Sequence, residues 1–168
     1  MGKLTVKMPN YDAGIINPSG KLHDQVFVFT DGGCIHNPGG VGGCGVVVCG
    51  QGKEIILKMN ARLESATNNT AEYMALTLGL RVSGFFTDNI VRAYTDSRLV
   101  FNQLTGRWRI KKKHLAICAH GVTECEKYFK VVHYNWTPRE TRRIQIADEL
   151  AGQAIRNELI LLSEGKIK

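Results

Sequence analysis

Residues 26–40, VFVFTDGGCIHNPGG, set a β-prone apolar run directly against an acid and a series of glycines. Val26–Phe29 reads as a strand heading into a core, because alternating β-branched and aromatic residues suit a covered, pleated surface. Asp31 stands where that strand must end. Asp31-Gly32 can open a turn, since Asp bonds its own backbone and Gly accepts positive φ. Alternatively, Asp31 is a carboxylate held rigidly at a strand end for chemistry. The other acids of the chain bear on that choice.

Outward from this stretch, the punctuation is regular. Cys44–Cys49 (CGVVVC) is a second apolar run, and residues 53–63 (KEIILKMNARL) form a third strand candidate with partial alternation. Gly39-Gly40 and Gly42-Gly43 separate the first two, so the three strands imply an antiparallel meander. Residues 67–84 (TNNTAEYMALTLGLRVSG) then change period. Ala71, Met74, Ala75, Leu78 and Val82 recur at helical spacing and Gly84 suits a stop. A strand at 89–96 (NIVRAYTD), helices at 97–106 and 111–129, and a strand at 130–136 (KVVHYNW) follow. Residues 137–146 read as a loop, and 147–162 (ADELAGQAIRNELILL) as a closing helix. This order joins an antiparallel layer to parallel crossovers, which defines an α/β fold with a mixed sheet flanked by helices.

The chain has 168 residues, enough for one domain with a proper core. Residues 1–24 are expected to be a flexible extension, or to add a short strand at Leu4–Met8 with Pro18-Ser19-Gly20 as linker; 25–162 form the domain and 163–168 a tail. The net charge of +7 points to a polyanionic partner, nucleic acid first. No stretch reaches transmembrane length, and no signal-peptide core is present, so no membrane partner is expected. Five cysteines, odd in number and without a C-x-x-C pair, argue for reduced thiols and a cytoplasmic location.

Four acids share one kind of place: Asp31 ends the first strand, Glu72 lies at the start of the first helix, Asp96 ends the fourth strand, and Asp148 opens the last helix. Each has a structural explanation of its own. Asn69 with Glu72 fits a capping box, Asp96 fits a turn or cap, and Asp148 suits a helix dipole. Their joint pattern is harder to explain that way. If strands one and four are neighbours, Asp31 and Asp96 leave the sheet at one edge, and helices packed on both faces can bring the other two there. Clustered carboxylates repel strongly unless cations lie between them. Hard oxygen ligands suit Mg²⁺ or Mn²⁺, and two such ions about 4 Å apart are the usual apparatus for attack of water on a phosphodiester.

TDGGCIHNPG, TNNTAEYMA, YTDSRLV and ADELA, in this order and spacing, resemble type 1 ribonuclease H, of the ribonuclease H-like, retroviral-integrase-type superfamily. The likeness covers roughly residues 25–155. It implies a five-stranded mixed sheet of order 3-2-1-4-5 with helices on both faces. It also implies endonucleolytic cleavage of the RNA strand of an RNA/DNA hybrid, leaving 5′-phosphate and 3′-hydroxyl ends, by a monomer with two Mg²⁺ ions (or Mn²⁺). By that likeness Asp31, Glu72, Asp96 and Asp148 are the catalytic, metal-binding carboxylates. Asp31 would bridge both ions, and Glu72 would also approach the 2′-hydroxyl. Asp96 would help to position the attacking water, and Asp148 would complete the second metal site.

The same likeness places Cys34, Asn37, Asn68 and Asn69 along the minor groove, Thr67 on a DNA-strand phosphate and Arg98 beside the third acid. The basic segment 106–114 (GRWRIKKKH) is suited to track a phosphate backbone, with Trp108 packed in the core. The pattern departs from the family in the loop before Asp148. Many members carry a mobile His or Glu there; here His is absent from the loop, and Ile144 stands where an Asn or Glu is common. Glu140, Arg142 and Arg143 are the auxiliary candidates there. Two other readings stay open: a catalytically silent hybrid- or RNA-binding module, and the ribonuclease domain of a reverse transcriptase. The starting Met and the closing helix favour a free-standing enzyme.

Overall fold

The structure is a computed structural model that describes residues 23–157 and the strand 161–163. Most of the expected extension, including the Leu4–Met8 strand, and the end of the tail lie outside the described residues. The elements run β1 (Gln25–Cys34), β2 (Gly40–Cys49), β3 (Ile55–Ala66), α1 (Asn68–Ser83), β4 (Ile90–Thr95), α2 (Arg98–Leu104), α3 (Lys113–Glu126), β5 (Val131–Trp136), α4 (Arg142–Ile155) and β6 (Leu161–Ser163).

β1, β2 and β3 form the antiparallel meander, while β1 pairs with β4 and β4 with β5 in parallel. The order 3-2-1-4-5 is therefore as expected, and β6 extends the β3 edge antiparallel. Side chains alternate across β1. Val26 and Val28 join the large core with Ile56, Leu76, Leu80 and Val91 on the α1 side. Phe27 and Phe29 pack with Val47, Ala147 and Leu150 on the α4 side. Burying side chains of this size contributes roughly 1.5–3 kcal/mol each, so both helices are fixed against the same two central strands.

Several local expectations are corrected. Asp31-Gly32 is not a turn: β1 runs through to Cys34, with Asp31 paired to Gly45 and Gly32 to Cys44. The turn comes later, at His36 (φ 53°) and Gly39 (φ 92°), around a cis Asn37-Pro38 peptide. Gly42 and Gly43 lie inside β2. The closing helix begins at Arg142, ahead of its apolar run, and stops at Ile155. There the Arg62 guanidinium bonds the Ile155 carbonyl, and Asn157 turns left-handed (φ 66°). Leu161 and Leu162, expected in the closing helix, belong to the backbone of β6 instead. Trp108 is 50% exposed rather than in the core.

Candidate active site

Each acid is set by a different element, and the capping explanations fall away. The N-cap of α1 is Thr67, whose hydroxyl accepts from the Thr70 N–H while the Thr70 hydroxyl accepts from the Thr67 N–H. Thus Asn69 is not the cap, and Glu72 lies beyond the capping box with its carboxylate free of that duty. Ser97 caps α2 through the Val100 N–H, which relieves Asp96 of a capping role. Asp148 sits in the second turn of α4 rather than opening the helix.

Asp31, still inside β1, and Asp96, just past the end of β4, each follow the last parallel rung, Thr30–Thr95, by one residue. Gly32 makes room for Glu72: a Cβ there would lie 2.2 Å from the Ala71 carbonyl carbon and 2.5 Å from the Glu72 nitrogen. α1 therefore rides over the end of β1. One oxygen each from Asp31, Glu72 and Asp96 lies within 4.8 Å of the others. On the opposite face, Gly43 and Gly45 allow α4 equally close, since Cβ atoms there would meet the Ala151 and Ala147 carbonyl oxygens at 2.1 and 1.8 Å. Asp148 thereby comes within electrostatic reach of Asp31 and Asp96.

Electrostatics follow from this crowding. Burial first, then Asp96 and Asp148, push Asp31 up to about 8 from an ordinary 3.8. Glu72 is also raised well above its usual range by burial and by Asp31 and Asp96, against the opposing Gly32 N–H. Asp96 is raised by burial, with Arg139 opposing. One oxygen of Glu72 is buried without a hydrogen-bond partner. A buried carboxylate oxygen without a partner, on a side chain clustered with two other carboxylates, is a poor protein contact and a good hard-cation ligand. The donor set fits Mg²⁺ or Mn²⁺, and no other His, Cys, Asp or Glu group among the described residues is so arranged.

The cation at this site is Arg139, which the sequence pattern does not single out. Its Nη2 donates to Asp148 Oδ1 at 2.6 Å, and its charge also acts on Asp31, Glu72 and Asp96. Arg143 is directed elsewhere: it donates to the Lys53 carbonyl at 2.9 Å and to Cys49 Sγ at 3.3 Å. Cys49 is four residues along β2 from Gly45, the partner of Asp31, so Arg143 is anchored away from the carboxylates. Glu140 and Arg142 are exposed on the approach to α4. The one signal for Arg139 is topological: it follows β5, the parallel neighbour of the strand that delivers Asp96.

The expected groove residues converge beside the acids. The Cys34 N–H donates to Asn68 Oδ1 at 3.0 Å and the Asn68 N–H donates to Asn37 Oδ1 at 3.3 Å, joining the β1–β2 turn to the start of α1. Thr67 and Asn69 flank Asn68. Arg98 stacks on Trp136, with the guanidinium carbon 4.9 Å from the ring centroid. A cleft of about 330 Å³ extends from Asp31 and Asp148 past Gly33 and Cys34 to Gly152 and Arg156.

A mixed sheet in which β1 to β5 take the order 3-2-1-4-5, with carboxylates gathered where the β1–β4 pairing ends, defines a protein of the ribonuclease H fold. Residues 29–154 match the family model described as reverse transcriptase-like. The chain is 31% identical over 131 residues to the bifunctional protein Rv2228c of Mycobacterium tuberculosis, covering 78% of this chain and 35% of that protein. It is 32% identical over 131 residues to ribonuclease HI of Halobacterium salinarum, covering 78% and 64%. Among solved structures, RNase H1 from Halobacterium salinarum NRC-1 superposes with a TM-score of 0.75 at 29% identity, covering 79% of this chain and 98% of that one. LC11-RNase H1 in complex with RNA/DNA hybrid gives 0.72 at 28%, covering 79% and 97%. The chain thus spans about a third of the mycobacterial relative and under two thirds of the halobacterial one. It belongs to the reverse transcriptase-like family, as a member of the type 1 ribonuclease H kind. No helix among the described residues is long and apolar enough to cross a membrane.

Proposed function

We propose that this protein is an endoribonuclease that hydrolyses the RNA strand of RNA/DNA hybrids, with Asp31, Glu72, Asp96 and Asp148 as its metal-binding, catalytic carboxylates. The observation that carries the reading is the Asp31–Glu72–Asp96 cluster with its unpartnered, buried Glu72 oxygen. Two Mg²⁺ or Mn²⁺ ions held there would neutralise the charge that builds on the reacting phosphate and activate water at neutral pH. The protein's own part is rigidity and charge. The β1 ladder fixes Asp31, the bare Gly32 lets Glu72 close on it, and Arg139 holds Asp148 while offsetting the acids. Water adds to phosphorus and the 3′-oxygen departs, which leaves 3′-hydroxyl and 5′-phosphate ends.

Substrate choice rests on the neighbours. Carboxamides of Asn37, Asn68 and Asn69 are suited to base edges and 2′-hydroxyls in a shallow minor groove, which distinguishes RNA from DNA locally. The Thr67–Thr70 cap offers hydroxyls to a phosphate of the DNA strand. LC11-RNase H1, similar in fold and sequence, has been solved in complex with an RNA/DNA hybrid. Four intact acids weigh against a silent binding module. Because the mycobacterial relative is about three times the matched length, the chain also suits a ribonuclease unit working within a larger enzyme. Labelled hybrid incubated with Mg²⁺ or Mn²⁺ and either the wild type or the Asp31→Asn variant tests the reading. The wild type cuts the RNA strand and the variant does not, although it still binds hybrid.

A further inference from the structure

Trp136 has no role in the scheme above, yet it contacts two of its parts. It ends β5 in register with Thr95, the residue before Asp96. Its indole Nε1–H donates to the Asp96 carbonyl oxygen at 3.0 Å. Its ring face carries the Arg98 guanidinium at 4.9 Å. The side chain is 38% exposed at an edge strand, so core packing alone does not account for a Trp there. Other bonds secure the same short segment: the Thr137 N–H donates to the Thr95 carbonyl at 3.0 Å and the Ser97 N–H to the Thr95 hydroxyl at 3.0 Å. The Asp96 carbonyl lies just past the last rung between β4 and β5, where a sheet frays unless a side chain continues the bonding.

We infer that Trp136 is a positioning residue that fixes the Asp96 backbone through its indole N–H and presents Arg98 on its ring face. The inference rests on the metal-site reading of the carboxylates. It goes beyond that reading by assigning the orientation of one ligand to a residue that is not itself a ligand. The two functions separate chemically. Phe in place of Trp keeps an aromatic face for Arg98 but removes the donor. Leu removes both, since cation–π attraction requires an aromatic ring.

The test measures Mn²⁺ binding by calorimetry, together with kcat and KM on hybrid, for the wild type, Trp136→Phe, Trp136→Leu and a control at the exposed Tyr128, Tyr128→Phe. Loss of a single neutral hydrogen bond corresponds to roughly a fivefold change in an equilibrium. Trp136→Phe is expected to weaken Mn²⁺ binding and lower kcat by about that factor, with KM for hybrid unchanged. Trp136→Leu adds a rise in KM through the released Arg98, and Tyr128→Phe behaves as wild type. Values for Trp136→Phe within twofold of wild type in both measurements overturn the assignment. So does a lowered melting temperature with KM moving along with kcat, the mark of a purely structural role. If no protein cleaves hybrid, the nuclease reading fails, while the Mn²⁺ affinities still decide whether Trp136 orients Asp96.

Discussion

Asp31 carries a conflict between stability and chemistry. In the unfolded chain its carboxyl ionises near 3.8, whereas burial and its acidic neighbours hold it near 8 in the metal-free fold. Between those values the unfolded state releases a proton that the folded state keeps, so the site's contribution is intact below about 4 and declines as pH rises through about 8. The metal-free melting temperature is therefore expected to fall over that window more steeply for the wild type than for Asp31→Asn. Adding Mn²⁺ at the alkaline end should raise the wild type and leave the variant nearly unmoved. Equal pH slopes in thermal melts of the two proteins would contradict this. The same residue shows what is legible in the sequence. The four acids are recognisable from their motifs, because each sits in a short local signature. Arg139 is not, since an arginine after a strand has no local mark and its partnership with Asp148 exists only once β5 and α4 are placed.

Among the elements, the two helices that deliver Glu72 and Asp148 reach the central strands through glycines. Gly32 admits α1, and Gly43 and Gly45 admit α4. Gly45→Ala would set a methyl group 1.8 Å from the Ala147 carbonyl oxygen, and backbone cannot yield cheaply there. It should destabilise the fold by about 1–3 kcal/mol and displace Asp148, so activity falls further than stability. Thermal melts and kcat measured together check this. Gly33 offers a control, because a Cβ there meets nothing within 4 Å. The strand order and the helices on both faces are legible from period and punctuation. The glycines in β2 imitate turn residues, because sequence does not reveal whether a glycine frees φ or only removes a side chain. The end of α4 is also hidden, since Arg62 from a distant strand terminates it.

For the whole molecule, the net charge is +7, while among the described residues the one buried charged side chain is the acidic Asp31. Residues 107–113 expose five cations. Charge reversal at Lys111, Lys112 and Lys113 is expected to raise KM for hybrid and flatten its salt dependence. The logarithmic slope should fall by roughly 0.7–0.9 for each phosphate that the protein no longer neutralises. An unchanged slope would mark the segment as a solvated face. The central claim is that the gathered carboxylates act with divalent ions on one kind of duplex only. The most direct measurement is cleavage of labelled RNA/DNA hybrid, single-stranded RNA, duplex RNA and duplex DNA, with Mg²⁺, with Mn²⁺ and with chelator. Cutting confined to the RNA of the hybrid, dependent on the ion and lost in Asp31→Asn and Asp96→Asn, is the predicted result. Cleavage that persists in chelator, or full activity in either variant, would contradict it.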